Sequence, residues 1–390
     1  MPLQQAGWNE SWAREFSLQF PHESNDHANR GAGKDLQPAR VLAQHRQSYT
    51  IWTAAGEADA EVAGAFLYRA TAADLPAVGD WVAVRQYSPS DVAIITGVLP
   101  RKTRFSRKGS GAVPEEQVIA ANIDLLLIVC GLDCDYNMRR LERYLVAARQ
   151  SGAAAVIVLN KADLCADTEI RVREVQSIAP ETSVIAISAT SPGAASVLER
   201  LIAPGMTAAL VGSSGAGKST MVNALISPFT PAAGASGARE APFQETQPTR
   251  ASDGRGCHTT THRELFFLRN GGLVLDNPGL RELQLWSDDF RPHGASSPAG
   301  LSAVDQGFPE IDALAAQCAF RDCSHTAEPD CAVREALASG EIDEARWRSY
   351  LKLRRELRHA TAQVDQNLRR AEKARWKKAC KEVKRNQKRL

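Results

Sequence analysis

The feature that most constrains this chain is a glycine-rich octapeptide, Gly212-Ser213-Ser214-Gly215-Ala216-Gly217-Lys218-Ser219, entered directly from the apolar run Ala208-Ala209-Leu210-Val211. A G-x-x-x-x-G-K-[ST] pattern between a strand and a helix is a phosphate-binding loop, and it places the surrounding chain in an α/β sheet. The glycines let backbone N–H groups converge on phosphate oxygens at close range. Lys218 is expected to reach the β- and γ-phosphates and the Ser219 hydroxyl to ligand Mg2+, with Thr220 following it in the site. The helix that starts here adds its positive dipole end.

A second motif, Asn160-Lys161-Ala162-Asp163, ends the apolar run Val156-Ile157-Val158-Leu159. Asp163 can accept from both guanine N1–H and N2–H, a pair that adenine does not offer in that arrangement, so a committed acceptor here rejects the wrong base. Lys161 would lie over the base, and Asn160 would tie this loop to the phosphate loop. Alone, the four residues fit an ordinary Asn/Asp turn; beside a phosphate loop they imply GTP and GDP. Ser188-Ala189-Thr190 follows Val184-Ile185-Ala186-Ile187 and could supply a backbone N–H to the guanine carbonyl. In ordinary GTPases the base-reading motif follows the phosphate loop; here it precedes it, so the elements of the core are circularly reordered.

Downstream, Asp276-Asn277-Pro278-Gly279 follows Leu273-Val274-Leu275. Asp276 is placed to hold Mg2+ through water and the Gly279 N–H to sense the γ-phosphate. In Gly256-Cys257-His258-Thr259-Thr260-Thr261-His262, Thr260 rather than Thr259 is the expected Mg2+ ligand when the γ-phosphate is present. Leu280 stands where many GTPases carry a water-orienting Gln, which predicts slow intrinsic turnover. His258 is the local candidate for that task, a surface loop histidine being the plainer reading; with Lys218 and Thr260 it completes the expected catalytic set.

Cys318, Cys323, His325 and Cys331 form C-x4-C-x-H-x5-C. Four such ligands suit tetrahedral Zn2+ and leave no position for water, so one structural zinc is expected, pinning a helical domain too small to bury enough core alone. The other cysteines have no comparable partners and read as ordinary residues.

A length of 390 residues suggests two or three domains. Residues 1–44 are polar without sustained periodicity and read as a mobile extension. Residues 45–108 carry short β-type runs, Tyr49–Trp52, Val62–Tyr68, Trp81–Val84 and Val92–Ile95, spaced as in a small five-stranded barrel of the oligonucleotide-binding (OB) type. Residues 109–290 alternate strand and helix as a doubly wound α/β GTPase core does, with Ile123–Val129 a strand buried on both faces and Glu264–Leu268 with Gly272–Leu275 an antiparallel hairpin at the edge. Residues 291–390 form the zinc-binding, mainly helical domain. Stretches 231–256 and 291–307 are irregular insertions.

The formal net charge is only +2, but eleven Lys or Arg against two Glu fall between Arg369 and Leu390. This tail, and Arg101-Lys102-Thr103-Arg104-Phe105-Ser106-Arg107-Lys108, suit a polyanion, although solvated helices and basic linkers look the same. No run of 18 apolar residues is present and the N-terminus lacks a signal-peptide core, so no membrane partner is expected. Eight cysteines without a disulfide framework point to the cytoplasm. A monomer is expected.

The pieces VGDWVAV, VLPRKTRFSRK, NKAD, GSSGAGKST, GRGCHTTTHREL, DNPGLREL and the Cys-Cys-His-Cys cluster follow one another over about residues 45–350. In that order they resemble the circularly permuted, ribosome-small-subunit-dependent GTPases of bacteria, the RsgA-type family. The resemblance implies a multidomain protein: an N-terminal OB-type β-barrel, a central permuted P-loop GTPase and a C-terminal zinc domain. It implies hydrolysis of GTP to GDP and phosphate, stimulated by the 30S subunit through contact with its 16S rRNA, in late subunit assembly. A GTP-gated rRNA-binding module with incidental hydrolysis is the alternative, and an ATP-dependent enzyme using the same loop is a third reading.

Overall fold

A computed structural model of the chain describes residues 2–21, 36–46, 48–86, 88, 90–108, 116–226, 264–276, 303–320 and 323–357. Two compact units emerge, Met1–Ser106 with Val118–Leu283, and Arg107–Gln117 with Gln284–Leu390.

The first unit opens with β1 (Gln37–Gln44), β2 (Tyr49–Thr53), β3 (Gly56–Val62), β4 (Trp81–Arg85) and β5 (Ala93–Val98). The pairing β1-β2-β3-β5-β4 closes through β4 back onto β1, and all pairs are antiparallel except β3 with β5. That is a closed five-stranded barrel, filled by Val41, Ile51, Ala60, Val82, Val84 and Ile95. Two details depart from the sequence reading. β1 lies wholly within residues 1–44, the stretch expected to be an extension. The run Val62–Tyr68 is not a strand beyond its first residue, because Gly64–Arg69 is a short helix. Two apolar residues of that helix, Leu67 and Tyr68, are 52% and 91% exposed, so they fill no core although their types suit a strand.

The N-terminal residues are also corrected over their described part. Glu10–Gln19 is a helix capped by Asn9, whose side chain accepts from the Trp12 N–H at 3.2 Å. Trp8, Trp12, Phe16 and Phe20 recur at i, i+4, the spacing that gives one helix face. The face packs on Trp81 of β4: Trp8 and Trp12 lie 4.7 and 6.2 Å from it, ring to ring, and Trp12 is 5% exposed. The basic run after Pro100 is partly structural as well. Arg101 forms a bidentate pair with fully buried Asp80, its closest contact 2.7 Å, and Lys102 lies 4.4 Å over the Trp12 ring.

A two-stranded ribbon, β6 (Arg104–Lys108) with β7 (Glu116–Ala121), leads into the core strands β8 (Leu125–Gly131), β9 (Ala154–Asn160), β10 (Ser183–Ala186), β11 (Thr207–Val211), β12 (Glu264–Phe267) and β13 (Leu273–Asp276). Their order is β10-β9-β8-β11-β13-β12, parallel except for the β12–β13 pair. All seven residues of β8 are buried, as its unbroken apolar run requires of a central strand. β12 is not a free edge: it pairs with β1 at Glu264 and Ala43, so barrel and core share one eleven-stranded sheet. The Phe267 ring packs against that of Trp52 across the junction, centroids 4.7 Å apart and planes tilted by 51°.

Arg40 of β1 reinforces the same junction. Its buried guanidinium donates to the carbonyls of Ala6, Gly79 and Asn122 and, at 2.9 Å, to the Thr207 hydroxyl at the start of β11. Burial pulls its pKa down to about 10, against the opposing pull of Asp124 and Asp80.

The second unit is built from helices Ala303–Gly307, Pro309–Ala315 and Ala332–Ser339 and a helix over 344–357. Its apolar centre is small: Val304, Phe308, Ile311, Val333, Trp347, Tyr350 and Leu353. Among the described residues no helix is long and apolar enough to cross a membrane.

Candidate nucleotide site and metal centre

The carboxyl ends of β9, β8 and β11 lie side by side, and in an open α/β sheet ligands bind beyond such ends. β11 runs into the phosphate loop, and helix Lys218–Ile226 leaves it. The loop needs glycine at both ends for steric reasons. At Gly212 (φ +151°) a Cβ would stand 2.2 Å from the Val129 carbonyl oxygen, and at Gly217 (φ +97°) 2.1 Å from Asn160 Nδ2. Lys218 Nζ donates to the Gly212 carbonyl at 2.9 Å and to that of Ser213. Ser219 and Thr220 occupy the first helical turn, both half-buried.

Asn160 is 3% exposed and makes two bonds that define the site. Its Nδ2 donates to the Ala216 carbonyl of the phosphate loop at 2.8 Å, and its Oδ1 accepts the Ala189 N–H at 2.9 Å. The tie between the base-reading and phosphate loops expected from sequence is therefore present, and it extends to Ser188-Ala189-Thr190. One expectation changes with it. The Ala189 N–H is committed to Asn160, so in this arrangement its part is to hold that side chain rather than to face a base. Ser188 shares a 3.1 Å hydrogen bond with the Thr190 hydroxyl.

Lys161 takes a left-handed backbone (φ +64°), and Asp163 is exposed in the following 3-10 turn. Asp276 ends β13, half-buried. His258, Thr259, Thr260, Asn277, Pro278, Gly279, Leu280, the insertion 231–256, most of 291–307 and the basic tail lie outside the described residues.

Two carboxylates that the sequence reading passed over join this site from the loop after β8. Asp133 pairs with Lys161 Nζ at 2.6 Å. Asp135 accepts the Ser213 hydroxyl of the phosphate loop and the Gly131 N–H at 3.3 Å, and pairs with Arg140. Burial works to raise the Asp133 carboxyl, but hydrogen bonds from Lys161 and the Asp135 N–H outweigh it and hold it below the ordinary carboxylate value. Their signal was available: Leu132-Asp133-Cys134-Asp135 directly follows the carboxyl end of a buried parallel strand.

In the second unit, one ligand atom from each of Cys318, Cys323, His325 and Cys331 lies within 4.8 Å of the others. Cys318 Sγ and Cys331 Sγ are 3.8 Å apart, and each is 3.5 Å from His325 Nδ1. A zinc tetrahedron with ordinary bond lengths has S···S edges of about 3.8 Å and S···N edges of about 3.5–3.6 Å. The donor set and spacing fit zinc, with His325 binding through Nδ1. His325 takes φ +61°, and its ring meets Trp347 edge-on at 6.1 Å. The half-buried Glu328 organises the intervening turn, its carboxylate accepting the N–H groups of Ser324, Thr326 and Ala327 at 3.0–3.1 Å.

This strand order, with its base-reading loop ahead of its phosphate loop, defines a circularly permuted P-loop GTPase fused to an OB-type barrel and a Cys3His metal domain. The RsgA GTPase family profile matches residues 98–286. An ABC transporter profile also matches residues 198–384, a span that holds the phosphate loop but excludes Asn160–Asp163. The chain is 44% identical to the small ribosomal subunit biogenesis GTPase RsgA of Opitutus terrae, covering 97% of this chain and 96% of that one. It is 43% identical to that of Syntrophotalea carbinolica, covering 94% and 92%. The solved structure of YjeQ from Thermotoga maritima superposes with TM-score 0.57 at 26% identity, covering 83% of this chain and 99% of that one. YloQ, a circularly permuted GTPase, superposes equally well at 19% identity and shows the shared fold. The chain belongs to the RsgA family of small ribosomal subunit biogenesis GTPases.

Proposed function

We propose that this GTPase times a late step of 30S assembly, hydrolysing GTP to GDP and phosphate when it is docked on the small subunit. The observation that carries the reading is the pair of hydrogen bonds at the Asn160 side chain, which ties the loop suited to guanine to the phosphate loop at Ala216 and to Ala189. In this reading Asp163 selects guanine, Lys161 covers the base, and the backbone of Gly212–Gly217 with Lys218 holds the phosphates. Ser219 and Thr260 would hold Mg2+, with Asp276 supporting it, and the ion would neutralise charge on the phosphates. His258 is the water-positioning candidate and Gly279 the γ-phosphate sensor. The barrel and the basic segments contact 16S rRNA; the protein acts as a cytoplasmic monomer. Domain bounds of about 37–108, 109–290 and 291–390 describe barrel, GTPase and zinc domain, with the N-terminal helix packed on the barrel. Zinc is structural, since four protein ligands close its coordination shell.

Leu280, in place of a water-orienting Gln, favours one second reading: GTP gates rRNA docking and turnover is incidental. Steady-state hydrolysis decides the matter, measured for the purified protein alone and with isolated 30S subunits, with 50S subunits and ATP as controls. Stimulation of at least about tenfold by 30S and GTP only is expected, in line with catalysis completed by a partner. Hydrolysis unchanged by 30S overturns the proposal. If GTP and a non-hydrolysable analogue release the subunit equally, the gating reading holds instead.

A further inference from the structure

In the sheet β8 lies between β9 and β11, so the loop that follows β8 stands between the base-reading loop and the phosphate loop. Its two carboxylates face opposite ways. Asp133 Oδ2 takes the Lys161 ammonium at 2.6 Å, while its Oδ1 accepts the Asp135 N–H at 3.2 Å. Asp135 Oδ2 accepts from the Ser213 hydroxyl and the Gly131 N–H, and its Oδ1 pairs with Arg140. One carboxylate thus holds a base-side residue, the next a phosphate-side residue, and a hydrogen bond from the Asp135 N–H to the Asp133 carboxylate joins the two.

We propose that Asp133 and Asp135 are positioning residues of the nucleotide site, clamping Lys161 and Ser213 so that the two binding loops keep one spacing. Lys161 has a backbone conformation uncommon for a residue with a Cβ, and such conformations persist where the surroundings over-determine them. Asp133 and Lys161 side chains are 24% and 23% exposed, so solvent screens the pair and its direct contribution to stability is modest. Its effect is geometric. A nucleotide must engage both loops at once, and fixing their spacing beforehand removes an ordering cost from binding. Asn160 sets the same spacing from beneath, through the buried carbonyl of Ala216. The clamp holds it from the adjacent strand by an independent set of bonds.

This inference rests on the guanine-nucleotide reading above, and the test separates the two. The affinity of the full-length protein for a fluorescent N-methylanthraniloyl GDP is measured for the wild type and for two double-mutant cycles. One combines Asp133→Asn with Lys161→Ala; the other combines Asp135→Asn with Ser213→Ala. Thermal midpoints are recorded alongside, and Asp133→Glu is included as the conservative rescue. Each Asp→Asn change is expected to weaken binding about tenfold, and each double variant to be no weaker than its loop-side single variant. Asp133→Glu should recover part of the loss. Additive effects, or affinities within about twofold of wild type, overturn the clamp. Where Asp135→Asn lowers the thermal midpoint through loss of its Arg140 and Gly131 bonds, Ser213→Ala still cuts the loop side alone and must itself weaken binding. A wild type with no GDP affinity overturns the guanine-nucleotide reading, and the clamp with it.

Discussion

The nucleotide loops and the Cys3His cluster solve the same problem, holding several groups around one ligand, by opposite means. Asn160, Ala189, Ala216, Asp133 and Ser213 are far apart in sequence and meet because their strands are neighbours in a buried sheet. Cys318, Cys323, His325 and Cys331 come from one short stretch beside a small apolar centre. The first site is held by the fold, whereas the second holds the fold. Ligand removal should therefore leave the first standing and dissolve the second.

Metal removal has the largest expected effect. A structural zinc site contributes about 10–16 kcal/mol of apparent binding energy, more than a domain's usual margin of stability. Chelation, or Cys331→Ser, should abolish hydrogen-exchange protection across 303–357 while protection across 116–226 persists. Simultaneous loss in both regions would break the contrast, showing one cooperative unit instead of two.

Asn160→Ala ranks next. It leaves the buried Ala216 carbonyl and the Ala189 N–H without their partner, a loss of about 2–6 kcal/mol for two such groups. The urea midpoint of the first unit should fall and GDP affinity with it, while exchange protection of 303–357 is unaffected. Unchanged stability would mean that the sheet alone fixes the loops.

The smallest effect is kinetic and concerns thiols. Burial pushes the Cys130 thiol up to about 11, whereas Cys134 is exposed. Its neutral form therefore persists until pH approaches that value, and thiolates, not thiols, are the reacting species. Alkylation followed by peptide mapping at neutral pH should modify Cys134 and spare Cys130 with or without chelator. Cys318, Cys323 and Cys331 should become reactive only after chelation. Prompt labelling of Cys130 at neutral pH would show that the sheet region opens as readily as the metal region.

What was legible in the sequence followed from how local each signal is. Gly212–Ser219 and the four zinc ligands are contiguous patterns whose chemistry demands those residue types, and the unbroken apolar run of β8 announces a central strand. The missed parts depend on partners elsewhere. The aromatic stripe Trp8, Trp12, Phe16, Phe20 is spaced as a helix face, but it becomes a core only against Trp81. β1 carries Pro38 and Arg40 and reads as polar, because Arg40 is satisfied by acceptors from Ala6, Gly79, Asn122 and Thr207 that no local window contains. Gly64–Arg69 shows the converse: Phe66, Leu67 and Tyr68 resemble a strand by type, and Leu67 and Tyr68 are left on the surface. Asp133 and Asp135 carry no motif, and only the position of β8 between two binding loops gives them meaning.

The permuted strand order also sets a timetable for the chain as it is made. Of the core strands, β8 and β9 leave the ribosome first, and one side of the fully buried strand β8 waits for β11, which begins at Thr207. At about 5–20 residues per second, an interval of some eighty residues is roughly 4–16 s during which an apolar strand edge has no neighbour. β13, the partner on the other side of β11, emerges later still. A nascent chain therefore completes the Asn160–Asp163 loop before the Gly212–Ser219 loop, and the bond between Asn160 and Ala216 can form only after β11 has been made.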